Sequence, residues 1–447
     1  MPFTPQRYKE VQKMCPPDGE KSLKDMRDEM RFESLFAERA KKMRASEIRE
    51  LLKVTQQPDI ISFAGGLPNP ESFPKGIISE IMKGVLDSDM ASRALQYGST
   101  EGLPELRDVI LKRFEERFGY KGDRDNIIIT TGSQQGLDLL GRIFIGSRSH
   151  IIMEAPTYLG ALNAFKFYNP SIHTVPLDEN GIMPSLLEEK IKTLHRRGET
   201  PKFLYTVPNF HNPAGVTLSL ERRRELLEIA SEYDLLVVED DPYGELRYEG
   251  EHLPPLLSLD KEDRVIYLGT FSKVLSPGMR LAWAIGPKEV IKKMVLAKQG
   301  VDLCTSTLSQ VIALEYLSGG HMDRHIPNII ELYRKKRDLM LSSMEESFPE
   351  EMAWTRPEGG MFIWVRGPEG LDTKELFPYA IEKKVAFVVG EAFYPDRSVK
   401  NAMRLNFTNP SDEDIPVGIK RLSEVLEHFL KERDLKRGGE EELIIGV

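Results

Sequence analysis

The chain has 447 residues, enough for two or three domains around a large core. Its 61 basic and 70 acidic side chains leave a net charge of −9, a poor match to nucleic acid that no long basic run reverses. No apolar run reaches membrane-span length, the first residues lack a signal-peptide core, and two distant cysteines, Cys15 and Cys304, suit a reducing compartment. A cytoplasmic protein that binds neither nucleic acid nor membrane is expected.

Residues 1 to about 30 are polar, broken by Pro16-Pro17-Asp18-Gly19, and read as an extension. Leu35, Ala40, Met43, Ile48, Leu51 and Leu52 include three- and four-residue steps (40 to 43, 48 to 51 and 48 to 52), which predicts a helix over 34–55. The stretch 63–74 holds too many turn formers for regular structure. Strand and helix patterns then alternate. Strands are predicted at 127–131, 150–154, 203–207, 235–240, 265–269 and 281–286, with helices over 137–143, 184–195 and 219–233. Most of these strands are apolar on both faces, as a buried and mainly parallel sheet requires, so the fold class is α/β. After about 320 the pattern changes to a long helix (326–346), short strands (361–365, 386–389, 403–407) and a final helix (412–430), a smaller α+β unit. The expected division is an extension over 1–30, an N-terminal part of the small domain or arm over 31–65, a large domain over 66–320 and a small domain over 321–447.

The most informative residue is Lys273. It lies in Gly269-Thr270-Phe271-Ser272-Lys273-Val274-Leu275-Ser276-Pro277-Gly278-Met279-Arg280, between two apolar runs. An ammonium group between buried strands is costly, so the neutral amine is favoured, and a neutral amine attacks carbonyls to form a Schiff base. Thr270, Ser272 and Arg280 beside it suit a phosphate. An amine next to a phosphate cradle points to pyridoxal phosphate; a surface lysine in a Ser/Pro/Gly loop is the plainer alternative.

Other strand ends carry polar groups. Ser133, at the start of a helix after 127–131, either holds an anion or simply caps the helix. Asp240, ending an apolar strand, can pair with a pyridinium nitrogen, and Tyr243 can reach a ring hydroxyl; alternatively Asp241-Pro242 only begins a turn. Asn212 before Pro213 can donate to a ring oxygen or a carboxylate, or mark a plain turn. His211 beside it reads as a neighbour, since Lys273 fills the base role better. Tyr158 can stack on a planar cofactor or fill the core. Arg404, inside a strand of the small domain, suits a substrate carboxylate or a structural ion pair. His321 and His325 have helical ligand spacing without a third ligand, so no metal is expected.

Together these motifs resemble the class I/II aminotransferases, pyridoxal-phosphate enzymes of fold type I. They occur in the family's order, from Pro68-Asn69 and Tyr97-Gly98 through Ser133-Gln134, Tyr158, Asn212-Pro213, Asp240 with Tyr243 and Lys273 to Arg404. The resemblance covers about residues 35–430. It implies a large domain with a mainly parallel, seven-stranded-type sheet flanked by helices, plus a smaller α+β domain. It implies that Lys273 forms the Schiff base and shuttles the proton, and that Asp240 keeps the pyridine nitrogen protonated. Tyr243 and Asn212 would contact the ring hydroxyl and Tyr158 would stack on the ring. Ser133, Gln134, Thr270, Ser272 and Arg280 would hold the phosphate, with Tyr97 reaching it from the neighbouring subunit of a homodimer. Arg404, Asn212 and Gly66 would bind substrate.

Arg44-Ala45-Ser46-Glu47-Ile48-Arg49-Glu50-Leu51, Gly65-Gly66-Leu67-Pro68 and the segment around Lys273 are similar to a subgroup that includes 2-aminoadipate, kynurenine and multi-substrate aromatic aminotransferases. There Arg49 would meet a distal carboxylate, although a helix-surface ion pair with Glu47 or Glu50 also explains it. The implied reaction moves an amino group from an aromatic or 2-aminoadipate-like donor to 2-oxoglutarate by a ping-pong route. A β-lyase or decarboxylase on the same fold would share Lys273 and Arg404. An aminotransferase-like regulator would need an N-terminal winged helix, for which about 30 residues are too few.

Overall fold

In the computed structural model, which describes residues 32, 35–41 and 59–444, the apolar runs of the middle of the chain pair into one eight-stranded sheet. A two-residue strand, β1 (Ile61–Ser62), precedes them. The sheet strands are β2 (Ile127–Thr130), β3 (His150–Ala155), β4 (Ser171–Asp178), β5 (Gly181–Ile182), β6 (Pro201–Thr206), β7 (Leu236–Asp241), β8 (Val265–Thr270) and β9 (Ala282–Ile285). Their order is β2-β9-β8-β7-β6-β3-β4-β5. The run β8, β7, β6, β3, β4 is parallel throughout, while β9 opposes both β2 and β8, and β5 turns back on β4. Every residue of β2, β8 and β9 is buried, which their double-faced apolar sequences require. Helix Ser133–Phe144 lies against β8 and β9, and helix Lys288–Gln299 against β2.

A second, smaller sheet is antiparallel, in the order β10 (Ala353–Trp354), β11 (Phe362–Arg366), β14 (Ala402–Asn406), β13 (Val388–Val389). β12 (Val385–Ala386) leaves that sheet and pairs with β1 instead. Helix His321–Ser347 packs on helix Asp414–Ile444 beside it.

One expected strand divides and one strand was not expected. The strand at 281–286 forms as expected, as an antiparallel member of the mainly parallel sheet. The strand at 386–389 is two strands with different partners, divided at Phe387. Ser171–Asp178 is a strand that apolar pattern did not reveal, because Ser171, His173, Thr174 and Pro176 interrupt it and only Val175 is fully buried. Of the helix expected over 34–55, one turn at Glu38–Lys41 is described. Cys15 and Arg49 lie outside the described residues.

Candidate functional site

Parallel strands end on the same edge of a sheet, and that edge gathers most of the polar residues singled out above. Asp240 ends β7, Thr270 ends β8, Tyr158 follows β3 and Asn212 follows β6. β2 runs the same way as β8, because β9 opposes both, so Ser133 arrives at that edge as well.

Lys273 is half-buried, and its Nζ donates to the Gly66 carbonyl at 3.1 Å. Burial, with Arg404 and Arg280 adding to it, lowers its pKa to about 8. The folded pKa lies below the ordinary lysine value, so the uncharged fraction grows as pH rises towards 8 and changes little above it. Capture of an aldehyde by the apoprotein should therefore accelerate about tenfold per pH unit below 8 and level off above. Stopped-flow absorbance across pH 6–10 checks this. A rate still climbing at pH 10 would show an ordinary lysine.

Asp240 is fully enclosed. Its Oδ2 accepts from the Tyr205 hydroxyl at 2.7 Å, while Oδ1 is buried without a partner among the described residues. Burial lifts its carboxyl to about 7, and the neighbouring Asp241 adds to the rise against the Tyr205 hydrogen bond. A buried acceptor with one free oxygen is a costly arrangement unless a donor arrives there, and a positively charged N–H is the best one.

Arg404 reaches from β14 of the small sheet into the same region. Its Nη1 donates to Asn212 Oδ1 at 2.9 Å and its Nη2 to the Ala64 carbonyl at 2.8 Å. Asn212 Nδ2 in turn donates to the Tyr243 hydroxyl at 3.1 Å. The guanidinium lies over Phe362 at 4.2 Å and near Phe393 at 5.2 Å from ring centre. Among the described residues no carboxylate partners it and its Nε is buried without a partner, and burial lowers its pKa to about 10. Such a cation awaits an anionic ligand. Gly66 borders it, since a Cβ there would sit 4.0 Å from Arg404 Nη2.

The remaining polar groups stand at the same strand ends. Among the described residues Ser133 Oγ is buried without a partner at the first turn of its helix, where N–H groups point outward. Gly132 before it has φ 76°, and a Cβ there would overlap the Arg280 guanidinium. Thr270 Oγ1 donates to Ser272 Oγ at 3.0 Å. Gln134 binds the Gly160 carbonyl at 3.0 Å, and a Cβ on Gly160 would collide with the Tyr158 ring, so that helix start and the Tyr158 turn are tied together. Two residues stand apart. Tyr97 is 79% exposed. His211 is buried with Nε2 3.1 Å from Glu154 Oε2, so it faces the sheet.

Supporting residues were not visible in the sequence. Tyr205, inside β6, is the partner of Asp240. Gln135 accepts from the Thr131 N–H and from Lys298 Nζ, both at 2.8 Å, and donates to Asp302 at 2.7 Å. This network braces the turn before Ser133.

The site thus brings together an amine, a buried acceptor with a free oxygen, hydroxyls and a guanidinium by a helix start, and a second, buried guanidinium, a set of groups that an aromatic aldehyde phosphate would match. The family model for aminotransferase class I and II matches residues 59–422. Aromatic-amino-acid aminotransferase 1 of Thermococcus litoralis is 52% identical over 400 residues, 90% of this chain and 96% of its own. The 2-aminoadipate transaminase of Thermus thermophilus is 42% identical over 398 residues, 88% of this chain and 97% of its own. The crystal structure of Pyrococcus horikoshii kynurenine aminotransferase superposes with a TM-score of 0.87 at 52% identity, covering 90% of this chain and 98% of that one.

Proposed function

From the premise that the chain belongs to the class I and II aminotransferases and is a pyridoxal-phosphate-dependent transaminase, we propose that it moves amino groups from aromatic or 2-aminoadipate-like amino acids to 2-oxoglutarate. The observation that carries this reading is Arg404, a buried cation bonded to Asn212 beside the Lys273 amine. It gives an amino acid a carboxylate anchor next to a free amine.

Pyridoxal phosphate, when bound, supplies an aldehyde for the amine and an electron-poor ring that draws electrons from the substrate Cα. Asp240, through its free Oδ1, would hold the ring N–H and keep it charged. Asn212 and Tyr243 would hold the ring hydroxyl, and Tyr158 would cover the ring. Ser133, Gln134, Thr270, Ser272 and Arg280 would hold the phosphate, with Tyr97 of the partner subunit closing it. Arg404 fixes the α-carboxylate, and the bare Cα of Gly66 leaves room beside it. Lys273 Nζ would take the substrate α proton and hold it for return. Arg49 receives a distal carboxylate, which glutamate, 2-oxoglutarate and 2-aminoadipate share. We assign the enzyme to the cytoplasm as a homodimer with shared sites. Among the described residues no helix is long and apolar enough to cross a membrane. The relatives favour transamination over lyase or decarboxylase chemistry.

A donor panel with 2-oxoglutarate tests the substrate class. Tyrosine, phenylalanine, kynurenine or 2-aminoadipate should exceed alanine and valine in kcat/KM by about tenfold or more. A preference for small aliphatic donors would refute it.

A further inference from the structure

The edge of the large sheet opposite Lys273 carries a second cluster of chemically active side chains. His150 opens β3, and His173 lies in β4, which runs parallel with Ile152 in register with His173. Residues two apart share a face, so both imidazoles project from the same side of the sheet. His150 Nδ1 lies 3.0 Å from His173 Nε2, and the rings stack at an interplanar angle of 14°. Glu199 approaches from the turn that leads into β6, placing Oε2 3.9 Å from the same His150 Nδ1. One ligand atom from each residue falls within 4.8 Å of the others, and all three residues are half-buried. The length of β3, about 17 Å at the usual rise, separates the cluster from the amine edge.

We propose that His150, His173 and Glu199 bind one divalent transition-metal ion of the Zn2+ or Ni2+ class, with water completing its coordination. Two nitrogens 3.0 Å apart, each about 2.05 Å from a metal, subtend about 95° at it; with ring centres 5.3 Å apart the nitrogens face each other, so each imidazole must turn by about 40° to aim its lone pair at the ion. Glu199, on a turn, has to close by about 1 Å. Two imidazoles and one carboxylate favour a borderline ion over Mg2+ or Ca2+, which take oxygen ligands. A plain hydrogen bond between the imidazoles accounts for their 3.0 Å separation but not for a carboxylate converging on the same nitrogen. Lys190 and Arg197 also face His173 and weaken the field for a cation, so micromolar affinity is expected. A bound ion would tie β3 and β4 to the turn entering β6 and stabilise the fold by linkage.

Titration calorimetry of the holoenzyme with NiCl2 and ZnCl2 tests this. The unaltered protein should show one site per chain in the micromolar range that MgCl2 does not fill. His150→Gln and His173→Gln should each weaken it at least about tenfold and Glu199→Gln less, with transaminase turnover unchanged in all three. Cobalt(II) should give visible ligand-field bands in the unaltered protein and lose them in His173→Gln. Unchanged affinity and stoichiometry in the histidine variants would overturn the proposal. So would the absence of binding and of cobalt bands in the unaltered protein, a result that stands even if a histidine variant fails to fold.

Discussion

Lys273→Ala lowers turnover by about 10⁴-fold or more with every donor, and a small primary amine added to the solution restores part of it. The substitution removes both the covalent anchor and the group that carries the α proton. It leaves Arg404, Asp240 and the residues around Ser133 and Arg280 in place, since among the described residues the one hydrogen bond of the lysine Nζ is to the Gly66 carbonyl. The variant should therefore fold and still hold the cofactor by its phosphate. Rescue by an external amine separates a lost base from a damaged site. Steady-state kinetics with and without methylamine checks it, and turnover retained in the unrescued variant would remove Lys273 from the chemistry.

Asp240→Asn lowers turnover by about 10³-fold. A contact-distance ion pair at an effective dielectric of about 20 is worth about 4 kcal/mol, which converts to about that factor in rate. Asparagine keeps the Tyr205 hydrogen bond through its oxygen but brings no negative charge to the ring nitrogen. The loss should fall on kcat, with donor KM little changed, because Arg404 still holds the carboxylate. The apoprotein should behave in the opposite sense. Asp240 is raised to about 7 in the fold, so its native state binds more protons than the unfolded chain between about 4 and 7. Stability from this group is full below that window and falls as pH rises through it. Asp240→Asn removes that dependence, so apoprotein unfolded by urea at pH 8 should be at least as stable as the parent. An unchanged kcat would show that the free oxygen serves no cofactor.

Much of this site could be read from residue order, and the reasons differ from residue to residue. Lys273 was found because polar groups surround it between two apolar runs. Asp240 was found at a strand end, but three carboxylates in succession stand there. Strand alternation separates them: Glu239 accepts from the Leu256 and Leu257 N–H groups and Asp241 from Asn209, Tyr267 and Gly244, which leaves the free oxygen to Asp240. No linear pattern encodes those partners. Arg404 was ambiguous because an arginine in a strand reads the same whether its partner is a protein carboxylate or a ligand. Only the pairing with Asn212, 192 residues away, resolves its surroundings. The direction of β9 was equally invisible, since an apolar strand looks alike in either orientation. Tyr205 and Gln135 support the site through side chains of elements whose apolar pattern is otherwise ordinary.

The central claim is a reaction in two halves, and the half-reaction tests it most directly. Holoenzyme mixed with L-glutamate and no acceptor should release one 2-oxoglutarate per active site and then stop, with the nitrogen retained on the protein. Phenylpyruvate added next should discharge that nitrogen as phenylalanine. Continuous turnover without an acceptor, release of carbon dioxide, or failure to form 2-oxoglutarate would contradict the account.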